Sequence, residues 1–83
     1  MIVKELPPIM LRIAIAESNL NPLAKNPRST AKGIFQILDG TAKSYGCTGN
    51  MYNPQDNIDC AKMIFTIEGT APWASSREKW DVP

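Results

Sequence analysis

One carboxylate in this sequence is placed where it could do chemistry. Residues 8–18 predict an apolar helix, and Glu17 lies near its end on the face that carries Met10, Ile13 and Ala14. Desolvation on such a face raises the pKa of a carboxyl, so the group can hold a proton near neutral pH and act as a general acid. The simpler alternative is that Glu17 reaches solvent or pairs with a nearby cation. The cations of the following loop are Lys25, Arg28 and Lys32.

The composition narrows the chemistry that is available. The 83 residues are 43% hydrophobic and 20% charged, which is typical of one small globular domain. Nine basic and eight acidic residues give a net charge of +1, which argues against a nucleic-acid binder. The chain has no histidine, the commonest general base and metal ligand. We therefore expect no metal site and no cofactor, and any catalysis must depend on carboxylates or cysteines.

Cys47 and Cys60 are too few for a structural zinc site, but their spacing suits a disulfide that closes a short loop. A small domain has limited surface to bury and gains from such a bond. The alternative is a pair of reduced, buried thiols in a cytoplasmic protein. The sequence favours the disulfide.

The remaining pattern predicts a mostly α fold with at most a vestigial β-hairpin around residues 24–34. Residues 21–33 are rich in Pro, Asn, Ser and Lys, and they predict a loop long enough to be functional. We see no repeat and no internal boundary, so residues 1–83 are expected to form a single domain. Three further helices are predicted. Thr41 is the expected N-cap of a short helix over residues 42–45, and Asn53-Pro54 should open a helix that runs to about Glu68 and stops at Gly69. Ser75 or Ser76 is expected to cap a short helix in the tail.

Residues 1–8 have no apolar h-region, so we expect no signal peptide in this chain, and no apolar run approaches membrane-spanning length. Action outside the cytoplasm would then require a signal that was removed or transport within a larger assembly. We expect a monomer.

Five short segments, in order, resemble the lysozyme-like superfamily, and most of all the soluble lytic transglycosylase (SLT) domains of bacteria and phages. They span about residues 9–64. The segments are Glu17-Ser18, Asn21-Pro22-Leu23-Ala24, Gly33-Ile34-Phe35-Gln36-Ile37, Thr41-Ala42 and Pro54-Gln55-Asp56-Asn57-Ile58. Each segment is weak alone, but their order and spacing are specific. The resemblance implies a small lysozyme-like domain, with helices around a cleft, that is shorter than typical relatives.

The resemblance also assigns roles to individual residues. Glu17 falls on the catalytic acid that protonates the oxygen between N-acetylmuramic acid and N-acetylglucosamine in peptidoglycan. Gln36 falls on a glutamine that lines the cleft and holds sugar, and Leu38 lies where a backbone group faces substrate. Asn26 takes a place that is often serine in relatives. Asn57 matches an Asn-Ile pair that either contacts the cleft or braces the helix start, and bracing is slightly favoured.

The chain also departs from the family pattern. A Tyr-Asn-Ala-Gly segment that supplies cleft residues in relatives is absent after Ile67, and Met63 replaces a tyrosine. Trp73 and Trp80 could stack on sugar, although core packing is the simpler expectation. A second acid would permit hydrolysis rather than formation of a 1,6-anhydro product. The candidates for it are Asp39 and Asp56, and for both a turn or helix-start role is favoured.

The leading hypothesis is therefore an extracytoplasmic enzyme, a lytic transglycosylase or muramidase that acts on peptidoglycan strands in the periplasm, the cell wall or a virion. A second hypothesis is a non-catalytic module of a phage tail or secretion apparatus that grips glycan strands. A third is a helical adaptor in which Glu17 is only a surface charge.

Overall fold

The computed structural model describes residues 5–81 of the chain. Helices make up most of this part. In chain order the elements are α1 (Pro8–Ser18), α2 (Asp39–Ser44), α3 (Pro54–Glu68), a 3-10 segment (Ala71–Ser76) and α4 (Arg77–Trp80). The prediction of a small, mostly α fold is confirmed.

Helix α1 forms where the sequence predicts it. Pro8 stands in its first turn, where a missing N–H costs nothing. The buried residues of the helix are Met10, Ile13 and Ala14, spaced three and four apart on one face. The helix ends because Asn19 turns into the left-handed region, with φ of 54°, and its N–H donates to the Ile15 carbonyl. Glu17 therefore lies in the last turn, in line with the buried face.

The loop between α1 and α2 contains only isolated β-bridges among the described residues. Lys25 pairs with Lys32 and Lys32 pairs with Ile37, both antiparallel. The Asn26 N–H donates to the Ala31 carbonyl at 3.0 Å. This is the vestigial hairpin that the sequence predicts.

The predicted start of α2 is wrong. The helix begins at Asp39 and its N-cap position is Leu38, which has no side-chain cap. The predicted cap, Thr41, already lies inside the helix. The reason is a long-range contact, since the Thr30 hydroxyl accepts the Asp39 N–H at 3.0 Å and so satisfies one free donor of the first turn.

Helix α3 follows the prediction at both ends. The Asn53 side chain caps it by accepting the Asp56 N–H at 3.0 Å, and Pro54 is in the first turn. Gly69 ends the helix with a positive φ of 63°. Its buried residues include Ile58, Ala61 and Ile64.

The tail differs in detail from the predicted capped helix. Ser76 occupies the N-cap position of α4, but its side chain makes no capping hydrogen bond. The Ser76 hydroxyl accepts the indole N–H of Trp80 at 3.0 Å instead. Trp73 and Trp80 are only 3% and 4% exposed, so both rings pack in the core as the simpler expectation had it. The Trp73 indole N–H donates to the Phe35 carbonyl at 3.0 Å.

The buried apolar residues of α1, α3, the tail and residues 34–37 form one cluster. A disulfide joins Cys47, in the connection between α2 and α3, to Cys60 in α3, as predicted. No helix within residues 5–81 combines the length and apolar character needed to cross a membrane.

Candidate active site

Glu17 is half-buried, between the core face of α1 and solvent. Burial raises the pKa of its carboxyl above the ordinary value of 4.5. The Ser76 hydroxyl and the positive charge of Lys79 lower that pKa, but they do not cancel the effect of burial. The net result is a carboxyl that holds its proton to a higher pH than an exposed glutamate does.

Two cations of the following loop, Lys25 and Lys32, are engaged elsewhere. Lys32 lies 2.8 Å from an Asp39 carboxylate oxygen, and Lys25 donates to the carbonyls of Asn26 and Ser29. The charge that acts on Glu17 is Lys79, from α4. The simpler alternative, in which Glu17 pairs with Lys25 or Lys32, is therefore not what the structure shows.

The neighbouring residue, Ser18, ties the end of α1 to the segment that follows Gly33. Its hydroxyl donates to the Ile34 carbonyl at 2.7 Å, and it also lies 3.2 Å from the Ala14 carbonyl. This bond joins two of the segments on which the resemblance rests. The segment 33–38 is thereby held against the helix that carries Glu17.

Asn57 fixes the other side of this segment. Its side chain is 1% exposed and uses both polar atoms. The Oδ1 atom accepts the Phe35 N–H at 2.9 Å, and Nδ2 donates to the carbonyls of Lys32 at 3.1 Å and Met51 at 2.9 Å. A Cβ at Gly33, where φ is +80°, would collide with the Met51 carbonyl and the Asn57 amide. These contacts give Asn57 a bracing role and leave no polar atom of its side chain free for a sugar.

Gln36 has a backbone conformation that is rare for its residue type. Its φ is 52°, in the left-handed region that L-residues seldom adopt. The side-chain amide donates to the carbonyls of Gly33 at 2.9 Å and Ala24 at 3.2 Å. Its oxygen has no partner among the hydrogen bonds of the described residues, so it is available to accept a hydroxyl or amide proton.

Leu38 is 44% exposed and lines an open groove of about 800 Å³ together with Thr41, Tyr45, Glu68 and Pro72. A smaller cavity of about 50 Å³ shares Leu38 with it and is also lined by Gln36 and Trp73. The structure therefore brings Gln36 and Leu38 together at one depression. Glu17 lines neither space.

Asn26 does not share this depression. It is exposed in the long loop, where its Oδ1 accepts the Arg28 N–H at 2.8 Å in a local turn. Its side chain has a loop-shaping contact and lines neither of the two spaces near Leu38.

The two candidate second acids have structural partners. Asp39 pairs with Lys32, and an Asp56 carboxylate oxygen accepts the Asn50 N–H at 3.0 Å. Asp56 also lies in the first turn of α3, where a negative charge is favoured by the helix dipole. Within residues 5–81, His, Cys, Asp and Glu form no cluster of three that could hold a metal ion.

Sequence reasoning missed the effect of Ser76 and Lys79 on the pKa of Glu17. Local spacing cannot reveal it, because both residues lie in the tail, far along the chain from α1. The available signal was indirect. Two tryptophans predicted to pack inward, Trp73 and Trp80, require the residues between them to approach the core as well.

Comparison with known protein families gives a match over most of the chain. A family model described as the transglycosylase SLT domain matches residues 4–69. No curated protein and no solved structure gave a significant match. The matched range includes α1, α2 and α3 and ends before the 3-10 segment.

Proposed function

Because the chain belongs to the transglycosylase SLT domain family, we propose that it cleaves peptidoglycan strands with Glu17 as general acid. The bond attacked is the β-1,4 link between N-acetylmuramic acid and N-acetylglucosamine. The observation that carries this assignment is the half-buried Glu17 carboxyl with a raised pKa, held beside the segment that contains Gln36. A protonated carboxyl in this position can donate to a glycosidic oxygen.

The reaction needs one proton transfer in each direction. Glu17 gives its proton to the glycosidic oxygen while the bond from that oxygen to C1 of the muramic acid breaks. The C6 hydroxyl of the same sugar attacks C1 and returns its proton to the Glu17 carboxylate, which leaves a 1,6-anhydro end. The engagement of Asp39 with Lys32 and of Asp56 with Asn50 supports this route over one that uses a second carboxylate.

Gln36 and Leu38 are the proposed substrate contacts. The free amide oxygen of Gln36 suits a hydrogen bond from a sugar hydroxyl or N-acetyl group. Leu38 is exposed at the edge of the open groove. Its side chain would give the sugar an apolar surface, and its backbone would give a hydrogen-bonding group. Asn57 supports them indirectly by holding the backbone of residues 32–35.

The site of action is proposed to lie outside the cytoplasm, where peptidoglycan is found. The Cys47–Cys60 disulfide supports this location, since such bonds persist in oxidising compartments.

Replacement of the acid tests the enzymatic assignment. We expect Glu17→Gln to lower the rate of peptidoglycan cleavage by about a hundredfold or more, because an amide cannot supply the proton. The matched control is Glu78→Gln, which makes the same change at an exposed position on α4 and should leave the rate unchanged. Mass spectrometry of the products would show muropeptides lighter by one water than hydrolytic products. Cleavage by folded Glu17→Gln at the wild-type rate contradicts the role of Glu17.

The groove beside Leu38 favours a second candidate, a non-catalytic module that grips glycan strands. The groove is open, includes the aromatic ring of Tyr45 and does not include Glu17. This function predicts that chitooligosaccharides shift the NMR signals of Thr41 and Tyr45 while the wild-type chain releases no muropeptides.

A further inference from the structure

The open groove beside Leu38 collects polar side chains from several elements. Its walls come from the loop before α2, from α2, from the end of α3 and from the 3-10 segment. Three hydroxyl-bearing residues lie three and four positions apart, so they share one face of α2 and its C-terminal end. They are Thr41, Ser44 and Tyr45, and none of their hydroxyls forms a hydrogen bond within residues 5–81. This face can therefore donate to and accept from a ligand.

Glu68 is the only charged residue among the described residues that line the groove. Its carboxylate forms neither an ion pair nor a hydrogen bond within residues 5–81, where the two ion pairs join Lys32 to Asp39 and Arg77 to Asp81. Glu68 is also the last residue of α3, where the helix dipole disfavours a negative charge, and the last turn has no basic residue. The stability of the helix therefore does not explain this carboxylate.

The groove begins next to the proposed sugar contact. Leu38 lines both the groove and the small cavity that Gln36 lines, whereas Glu17 lines neither space. The groove therefore does not hold the bond that Glu17 would protonate, but a part of the substrate that branches from the sugar beside Gln36. In peptidoglycan this branch is the peptide on the lactyl group of the muramic acid. That peptide contains a diamino acid whose side-chain amine is free until it is cross-linked.

We propose that this groove binds the peptide branch of the muramic acid, with the free ammonium group of its diamino acid at the Glu68 carboxylate. The inference rests on the proposed function, because the peptide is part of the substrate of that reaction. A volume of about 800 Å³ lies in the range of clefts that hold small organic ligands. The hydroxyls of the α2 face would bond to the peptide amides, and Leu38 and Pro72 would contact its apolar side chains.

Charge distinguishes the peptide from a glycan strand as the occupant of this groove. An ammonium group forms a charge-assisted hydrogen bond with a carboxylate, whereas the hydroxyls of uncharged sugars form ordinary hydrogen bonds. The two tryptophans, which would give sugars a flat surface, are buried in the core, and Tyr45 is half-buried. Cross-linking turns the amine into an uncharged amide. The enzyme should therefore prefer strands whose peptides are not cross-linked at this amine.

Two matched probes test the proposal without requiring turnover. The first is an N-acetylmuramoyl tripeptide with lysine amide as its third residue, and the second is the same compound with the lysine side-chain amine acetylated. In NMR titrations of the full chain, we expect the free amine to bind about threefold more tightly, because only it can pair with the carboxylate. This preference should weaken at high salt, because the ion pair is exposed. Both probes should shift the signals of Thr41 and Tyr45.

Replacement of the carboxylate assigns the preference to one residue. We expect Glu68→Gln to bind both probes equally, with the affinity that the wild type has for the acetylated one. The matched control is Glu78→Gln, the same change at an exposed position outside the groove, which should keep the preference of the wild type. The comparison of the two probes on the wild type needs no variant, so it remains decisive if Glu68→Gln does not fold.

Kinetics extend the test to the reaction. On glycan strands with free or acetylated peptide amines, we expect kcat/KM of the wild type to be about threefold higher for the free amine, and equal values for Glu68→Gln. Equal affinity of the wild type for the two probes overturns the proposal, as do groove signals that move with chitotriose and not with the muramoyl peptides. A wild type that prefers the free amine but cleaves no strand overturns the proposed function and supports the peptide site.

Discussion

Glu17 lies at the boundary between core and solvent, and this boundary determines what its carboxyl can do. A fully exposed glutamate would be ionised at neutral pH and could not act as an acid. A fully buried one would exchange protons with difficulty. The half-buried position in the last turn of α1 raises the pKa by desolvation while Ser76 and Lys79 limit the rise.

The raised pKa has a cost in stability that Glu17→Gln should remove. The folded chain binds the Glu17 proton more tightly than the unfolded chain, so the stability that this group contributes is complete below the unfolded pKa, near 4.5. It is lost as the pH rises through the raised folded pKa. We therefore expect Glu17→Gln to have a higher melting temperature than the wild type at about pH 8 and a smaller advantage at about pH 4.

Thermal unfolding of both chains across that pH range checks this expectation, with Glu78→Gln as the control for loss of one negative charge. The expectation would be contradicted if the melting temperatures of the wild type and Glu17→Gln changed with pH by the same amount. This result would mean that the carboxyl is solvated as well in the folded chain as in the unfolded one.

At the scale of elements, the segment 33–38 depends on α3 for its shape. The segment belongs to no regular β-strand, and its backbone groups form hydrogen bonds with Ser18, Asn57 and the Trp73 indole. Gln36 keeps its left-handed backbone within this frame. The geometry of the proposed sugar contact thus depends on side chains from three other elements.

We expect Asn57→Ala to destabilise the fold by about 2–4 kcal/mol. The change leaves the Phe35 N–H and the carbonyls of Lys32 and Met51 without their present partner, and it opens a cavity. Denaturant unfolding measures the loss. Asn50→Ala is the matched control, because the exposed Asn50 side chain accepts the nearby Tyr52 N–H and has no other bond within residues 5–81, so a change below about 1 kcal/mol is expected. Equal losses at the two positions would argue against the bracing role.

Element boundaries were predictable where the chemistry that sets them is local. Asn53 and Gly69 bracket α3 by contacts within four residues, and the sequence predicts both. Thr41 is not the cap because α2 begins two residues earlier, at Asp39, whose N–H donates to the hydroxyl of Thr30, nine residues before it in the chain. The surroundings of Glu17 were beyond sequence reasoning for the same reason, since the 3-10 segment and α4 contact α1 only after the tail has folded back. The left-handed Gln36 also has no signal in its residue type.

At the scale of the whole molecule, the core is small for the number of loops that it must hold. A chain of 83 residues buries a limited fraction of its surface, and the long loop before α2 contributes few regular hydrogen bonds. The disulfide between Cys47 and Cys60 adds a covalent constraint across the connection that leads into α3.

Reduction of this bond should lower the free energy of unfolding by about 3 kcal/mol, on the loop-entropy model. Urea unfolding with and without a reductant measures the difference. The double variant Cys47→Ser, Cys60→Ser is the control and should be as unstable as the reduced wild type and insensitive to the reductant. If the wild type keeps its full stability after thiol titration has shown complete reduction, the disulfide contributes nothing.

The tail raises a question of modularity. The family match ends at residue 69, but the Trp73 indole bonds to the Phe35 carbonyl and the Trp80 carbonyl bonds to Arg12. A recombination event or a truncation made at the homology border would separate α1 and residues 33–38 from the rings that cover them. The segment that could be moved intact into another protein is therefore longer than the range matched by the family model. It must extend beyond Trp80.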